Sequence, residues 1–155
     1  MARIDYNSVD PKATEAMLKL EAYVLRSGLE RPLLELIKMR VSQINGCAFC
    51  LDMHSKDARA AGETEQRLYL LNAWEESPFY TERERAALLW AETLTRVSEN
   101  HAPDHIYDEV HKQFNDAEMV ALSMAIVAIN GWNRLAIGFR ADAGTYQPPQ
   151  HARSA

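Results

Sequence analysis

The sequence predicts an all-α protein, a compact bundle of about six to seven helices. Three observations predict it. Apolar residues recur at three- and four-residue intervals along most of the chain, no run of alternating apolar and polar residues stands between turn signals, and Gly, Pro and capping residues sit where the periodic stretches end. With 155 residues, 47% of them hydrophobic and 25% charged, the chain is long enough for one domain with its own core, and neither a linker nor an internal repeat divides it.

Residues 1–13 read as an N-terminal arm. A first helix runs from about Thr14 to Arg26 on Met17, Leu18, Tyr23, Val24 and Leu25, and Ser27-Gly28 stops it. A second opens near Pro32, whose missing N–H costs nothing in a first turn, and carries Leu33, Leu34, Ile37, Val41 and Ile44 to Asn45-Gly46. A third starts near Cys47 and ends at Gly62. Thr64 caps a fourth, with Leu68, Leu70, Leu71 and Trp74, which Ser77-Pro78 breaks. Thr81-Glu82-Arg83-Glu84 is a capping box for a fifth through Leu88, Leu89, Trp90, Leu94 and Val97. A shorter sixth spans about Pro103 to Phe114, and Asn115 with Glu118 caps a seventh that reaches about Ala141. That last helix is apolar nearly all round from Met119 to Ile137, which calls for a central position or a second subunit, so a homo-oligomer is expected. Gly144 to Ala155, with Pro148-Pro149, reads as a loose C-terminal tail.

Charge and targeting narrow the function. Seventeen Lys and Arg against 22 Asp and Glu give a net charge of −5, interspersed rather than gathered into a basic face, which disfavours a nucleic-acid or anionic-membrane partner. The N-terminus has no apolar signal region, and the longest apolar run, Met119 to Ile129, falls short of the roughly 18–20 residues of a membrane span. A cytoplasmic protein is expected. In that reducing setting the two cysteines, Cys47 and Cys50, are redox-active or metal-binding more often than structural.

On a helix, Cys47, Cys50 and His54 share one face with Leu51, Ala58 and Ala61, opposite Asp52, Lys56 and Arg59. Cys50 and His54 are i,i+4 neighbours and Cys47 and Cys50 are i,i+3, so each pair meets on adjacent turns. A thiol reacts as its thiolate, and an imidazole is a suitable acceptor for the proton, which nominates Cys50. The positive end of the helix dipole nominates Cys47 instead. Either way a second thiol stands ready to condense with a sulfenic acid and prevent over-oxidation. A thioredoxin fold does not suit a chain without strands. Zinc would have two thiolates and one imidazole here but no local fourth ligand, and His101 and His105 are separated by a helix start at Pro103, so no metal site is expected.

The stretch Glu35-Leu-Ile-Lys-Met-Arg-Val-Ser-Gln-Ile-Asn-Gly-Cys-Ala-Phe-Cys-Leu-Asp-Met-His54 resembles the alkylhydroperoxidase D core of the carboxymuconolactone decarboxylase superfamily: a Glu, eleven residues, Cys-x-x-Cys, three residues, then His. The resemblance continues through Ala58 to Gly62, the helix after Thr81 and Asn130-Gly-Trp-Asn-Arg134. It implies a helical subunit assembling into trimers or hexamers that reduces organic hydroperoxides without a cofactor. By the same resemblance Cys50 is the peroxidatic thiol, Cys47 resolves it, His54 takes its proton and Glu35 completes the relay. A dithiol donor, such as a lipoylated protein, re-reduces the disulfide in that family. Two features depart from or exceed the resemblance. Periodicity alone puts Glu35 opposite the apolar stripe of its helix, as a solvated residue. Phe49 stands where the best-known members carry a second His. Asn130, Trp132 and Arg134 are read as packing and hydrogen-bond groups. The alternatives are a redox-sensing or scaffold oligomer without peroxidase turnover and a lactone decarboxylase, the latter disfavoured because it needs no thiol pair.

Overall fold

Helices are the only regular structure among the described residues, 1–149, of the computed structural model. In chain order they are α1 (Tyr6–Val9), α2 (Pro11–Leu25), α3 (Arg31–Asn45), α4 (Ala48–Ala60), α5 (Glu65–Leu70) with a 3₁₀ turn at Leu71–Ala73, α6 (Glu82–Thr95), α7 (Val97–Asn100), α8 (Asp104–His111) and α9 (Asp116–Phe139). The expected helices are all present. The additional ones, α1 and α7, are four-residue turns too short to show a period. The expected arm is itself partly helical, because Asp5 caps α1 and Asp10 caps α2 through its carboxylate. Both anticipated capping boxes form, at Thr81 with Glu84 and at Asn115 with Glu118.

The central element is α3, which packs against α4, α6 and α9. One part of the core joins Val24, Leu34, Ile37, Val41, Leu122, Ile126 and Ile129 from α2, α3 and α9 with residues of α6 and α8. A second lies between α3, α4, α5 and α6 around Leu36, Leu71, Trp74 and Leu88. Burying each such Leu or Ile side chain contributes roughly 1.5–3 kcal/mol, which secures the position of α3 and of whatever it carries. Because α3 has neighbours on nearly every side, Lys38, Arg40 and Ser42 are buried along with its apolar stripe.

Helix α9 passes by length and composition as a possible membrane span, yet 44% of that window is buried in this fold. Its outer side leaves Val120, Val127 and Ile137 exposed. The segment after α9, expected to be loose, is tied to α4: Gly144 N–H donates to Asp52, the Lys56 ammonium to the Tyr146 carbonyl, and the Tyr146 hydroxyl to Asp57. The remainder of that expected tail, residues 150–155, lies outside the described residues.

Candidate active site

The link between α3 and α4 is a two-residue turn. Gly46 takes a left-handed conformation, φ 68°, that a side chain would strain, and its N–H closes the end of α3. Cys47 N–H then donates to the Ser42 carbonyl at 3.0 Å, which leaves Cys47 as the N-cap of α4. Its sulfur accepts the Cys50 backbone N–H at 3.4 Å, and the two Sγ atoms share a hydrogen bond at 2.6 Å. Both cysteines are free thiols, each 1% exposed.

One turn further along α4, His54 is buried, and its Nδ1 lies 3.0 Å from Oε2 of Glu35 on α3. Glu35 is therefore not the solvated residue that periodicity predicts, its side chain being only 19% exposed. The stripe argument fails because α3 is central, so that its polar face is covered as well. On its other oxygen Glu35 meets Lys38 at 3.5 Å, and Lys38 pairs in turn with Glu21 at 2.5 Å. Burial alone would raise the Glu35 pKa, but the hydrogen bond with His54 and the Lys38 charge outweigh it and hold the carboxyl below its ordinary range.

The thiols divide unequally. The hydrogen bond from Cys50, helped by the backbone N–H groups of Cys50 and Phe49 and opposed by burial, brings Cys47 down to about 7 from an ordinary 9.0. The same bond, burial and the Cys47 charge push Cys50 up. As protons leave, the pair holds one negative charge on Cys47 and one proton on Cys50, a coupled titration rather than two independent ones. Accessibility runs the other way. A cavity of about 550 Å³ is lined by Cys50, His54 and Glu35 but not by Cys47. Its apolar walls come from Leu18, Leu25, Phe49, Met53, Trp132 and Ala136. Cys50 faces that cavity, and the Cys47 sulfur lies 2.6 Å from its own, outside the lining.

This arrangement gathers a thiol, an imidazole, a carboxylate paired with the imidazole, and a second thiol. The carboxymuconolactone decarboxylase family profile matches residues 11–93, more than half of the chain and the whole of that arrangement. The chain belongs to the carboxymuconolactone decarboxylase family. Within reach of it, YdfG of Bacillus subtilis is 44% identical over 135 residues, 87% of this chain and 92% of that protein. A crystal structure from Agrobacterium tumefaciens, described as a protein of unknown function assigned to antioxidant defence as AhpD, superposes with a TM-score of 0.91 at 46% identity over 94% of this chain and 100% of that one. An alkylhydroperoxidase AhpD core from Ralstonia eutropha shares the fold, with a TM-score of 0.78 and 18% identity over 90% of this chain and 74% of that one. The all-α, AhpD-like architecture of this family member is thus shared with solved structures, and its superfamily includes enzymes.

Several residues of the site were not singled out by sequence reasoning. Asn133 is fully buried on α9, donates to Ser42 at 3.0 Å, accepts from Asn45 at 2.9 Å, and lies beside both thiols, whose charged forms it favours. Asn in the midst of an apolar helix was the available signal, since a buried amide needs partners. Trp132, read as packing, lines the cavity as well. Asn130 and Arg134 do serve as hydrogen-bond groups: Asn130 accepts from Asn45 and donates to Thr95, and Arg134 donates to Asn130. Tyr6 reaches the cavity from α1, a segment with no periodicity to mark it. Among the described residues the donor atoms of Glu35, His54 and Asp57 lie within 4.8 Å of one another, a cluster that leaves out the cysteine pair weighed with His54 from the sequence. His101 is left-handed and outside α8, apart from His105 within it.

Proposed function

We propose that this chain is a thiol-dependent peroxidase that reduces organic hydroperoxides through Cys50 and Cys47. The observation that carries the reading is the single cavity in which Cys50, His54 and Glu35 stand together among apolar walls, with a second thiol 2.6 Å behind the first. His54 takes the proton of Cys50, and the Glu35 carboxylate compensates the imidazolium. The Cys50 thiolate attacks the terminal peroxide oxygen, the O–O bond breaks, and the alcohol leaves with the proton from His54, so that sulfur is oxidised to a sulfenic acid and the peroxide reduced. Cys47, ionised near neutrality, then attacks the Cys50 sulfur and expels hydroxide, which takes a proton from solvent to leave as water, and a disulfide remains. A dithiol donor such as a lipoylated protein returns both thiols by exchange, and no cofactor takes part. A reducing cytoplasm suits this cycle. Exposed Val120, Val127 and Ile137 on α9 fit assembly into a homo-oligomer, trimer or hexamer, which a light-scattering mass tests.

Intact mass before and after one equivalent of cumene hydroperoxide tests the reading. Loss of two hydrogens in the wild type, and a sulfenic acid trapped on Cys50 in the Cys47→Ser variant, are expected. Thiols unchanged over minutes overturn it. A disulfide that forms once but supports no turnover with a dithiol assigns the pair to redox sensing.

A further inference from the structure

Asp57 takes no part in the proposed thiol chemistry, yet it lines the same cavity, one turn beyond His54 on α4. A carboxylate oxygen of Asp57, a ring nitrogen of His54 and a carboxylate oxygen of Glu35 lie within 4.8 Å of one another. The Tyr146 hydroxyl donates to Asp57 at 2.7 Å. Burial first, and then the charge it bonds, push the Tyr146 phenol up to about 12, so it stays a donor throughout the neutral range. Tyr146 is held in place by its own carbonyl, which accepts from Lys56 at 2.9 Å, and by Gly144, which donates to Asp52 at 3.1 Å.

We propose that Asp57 is a second carboxylate partner of His54, a positioning residue for the relay, and that Tyr146 holds it there. Two carboxylates are useful because Glu35 is already drawn upon by Lys38. When His54 becomes an imidazolium, Asp57 supplies the negative charge that Lys38 offsets on Glu35. The other charged or titratable groups facing this region are accounted for. From α3 come Glu35, Lys38 and Arg31, from α2 Glu21, from α1 Tyr6 and from α4 Cys50; α9 contributes Trp132 and Ala136, which do not titrate. The proposal rests on the His54 relay of the proposed function but not on hydroperoxide as its substrate.

The expected effect has two parts. The Asp57 charge disfavours proton loss from the Cys50 and His54 pair as a whole, and it favours the form with the proton on His54. Its removal moves the acid limb of Cys50 reactivity to lower pH and lowers the plateau. The test is the pH profile of iodoacetamide alkylation of Cys50 in full-length Cys47→Ser protein, with Asp57→Asn, Asp57→Glu and Tyr146→Phe added singly. Asp57→Asn is expected to shift the acid limb down by about half a unit to one unit and to lower the plateau about three- to tenfold. Asp57→Glu restores most of both, and Tyr146→Phe moves both in the same direction by less. Unmoved limbs in Asp57→Asn, with or without a lower plateau, overturn the proposal, as does a shift to higher pH. If Asp57→Asn does not fold, Tyr146→Phe decides: a profile superimposing on the parent's overturns it. Alkylation reads the thiolate whether or not peroxide is turned over, so a wild type inert to hydroperoxide overturns the peroxidase reading and leaves this result standing.

Discussion

Oε2 of Glu35 lies 3.0 Å from Nδ1 of His54, across the boundary between α3 and α4, and both residues line the cavity that Cys50 faces. The pair joins residues 19 positions apart through the tight Gly46-Cys47 link, so the geometry of one turn sets both the cysteine cap and the relay. A carboxylate at this position fixes the ring and stabilises its charged form.

Glu35→Gln keeps the shape of that side chain and one acceptor oxygen for His54 but removes its charge and the acceptor for Lys38. The expected outcome is a loss of roughly tenfold to a hundredfold in the rate of Cys50 oxidation at neutral pH, with little change in folding. Stopped-flow kinetics with cumene hydroperoxide check it, and a rate equal to wild type removes Glu35 from the relay.

The thiol titration carries its own sign. Cys47 is lowered from 9.0 to about 7, so the fold favours its thiolate. The reduced protein therefore gains stability as pH rises from about 7 toward 9.0 and loses that gain as pH falls through about 7. Cys50, pushed up, opposes this only above its ordinary value. Thiolate absorbance of the reduced wild type is expected to rise by one equivalent per chain near pH 7 and not by two. Cys50→Ala removes the largest cause and moves that midpoint up.

The helices and the Glu, Cys-x-x-Cys, His spacing were legible because they are local: period, caps and i,i+4 neighbours need no tertiary information. Glu35 was legible only by resemblance, since α4 packs over a face of α3 that looks polar and brings His54 against it. Asp57 and Tyr146 were not legible at all. They are 89 residues apart, and the segment carrying Tyr146 has the composition of a loose tail. The order of ionisation at the two thiols was legible in part: the start of the helix at Cys47 already favoured its thiolate, and the Sγ–Sγ hydrogen bond that divides the pair needed coordinates.

Asn133→Ala is expected to cost about 2 kcal/mol or more, since it removes the donor to the buried Ser42 hydroxyl and one of the two acceptors of the Asn45 amide and opens a void in α9. Urea denaturation of the reduced protein measures it. The same variant takes a donor from the thiols, so the Cys47 titration shifts upward with it. A stability loss without that shift would assign Asn133 to packing alone.

Trp132 separates binding from chemistry. It forms part of the cavity wall from α9, and the relay groups, Cys50, His54 and Glu35, all lie on α3 and α4. Trp132→Ala removes apolar wall that a bulky hydroperoxide buries and a small one does not. The expected outcome is a KM for cumene hydroperoxide raised about tenfold or more with kcat nearly kept, and a much smaller change for hydrogen peroxide. Trp132→Phe, which keeps an aromatic wall, falls between. Steady-state kinetics with both substrates check it, and equal effects on the two would place the productive path to Cys50 outside this cavity.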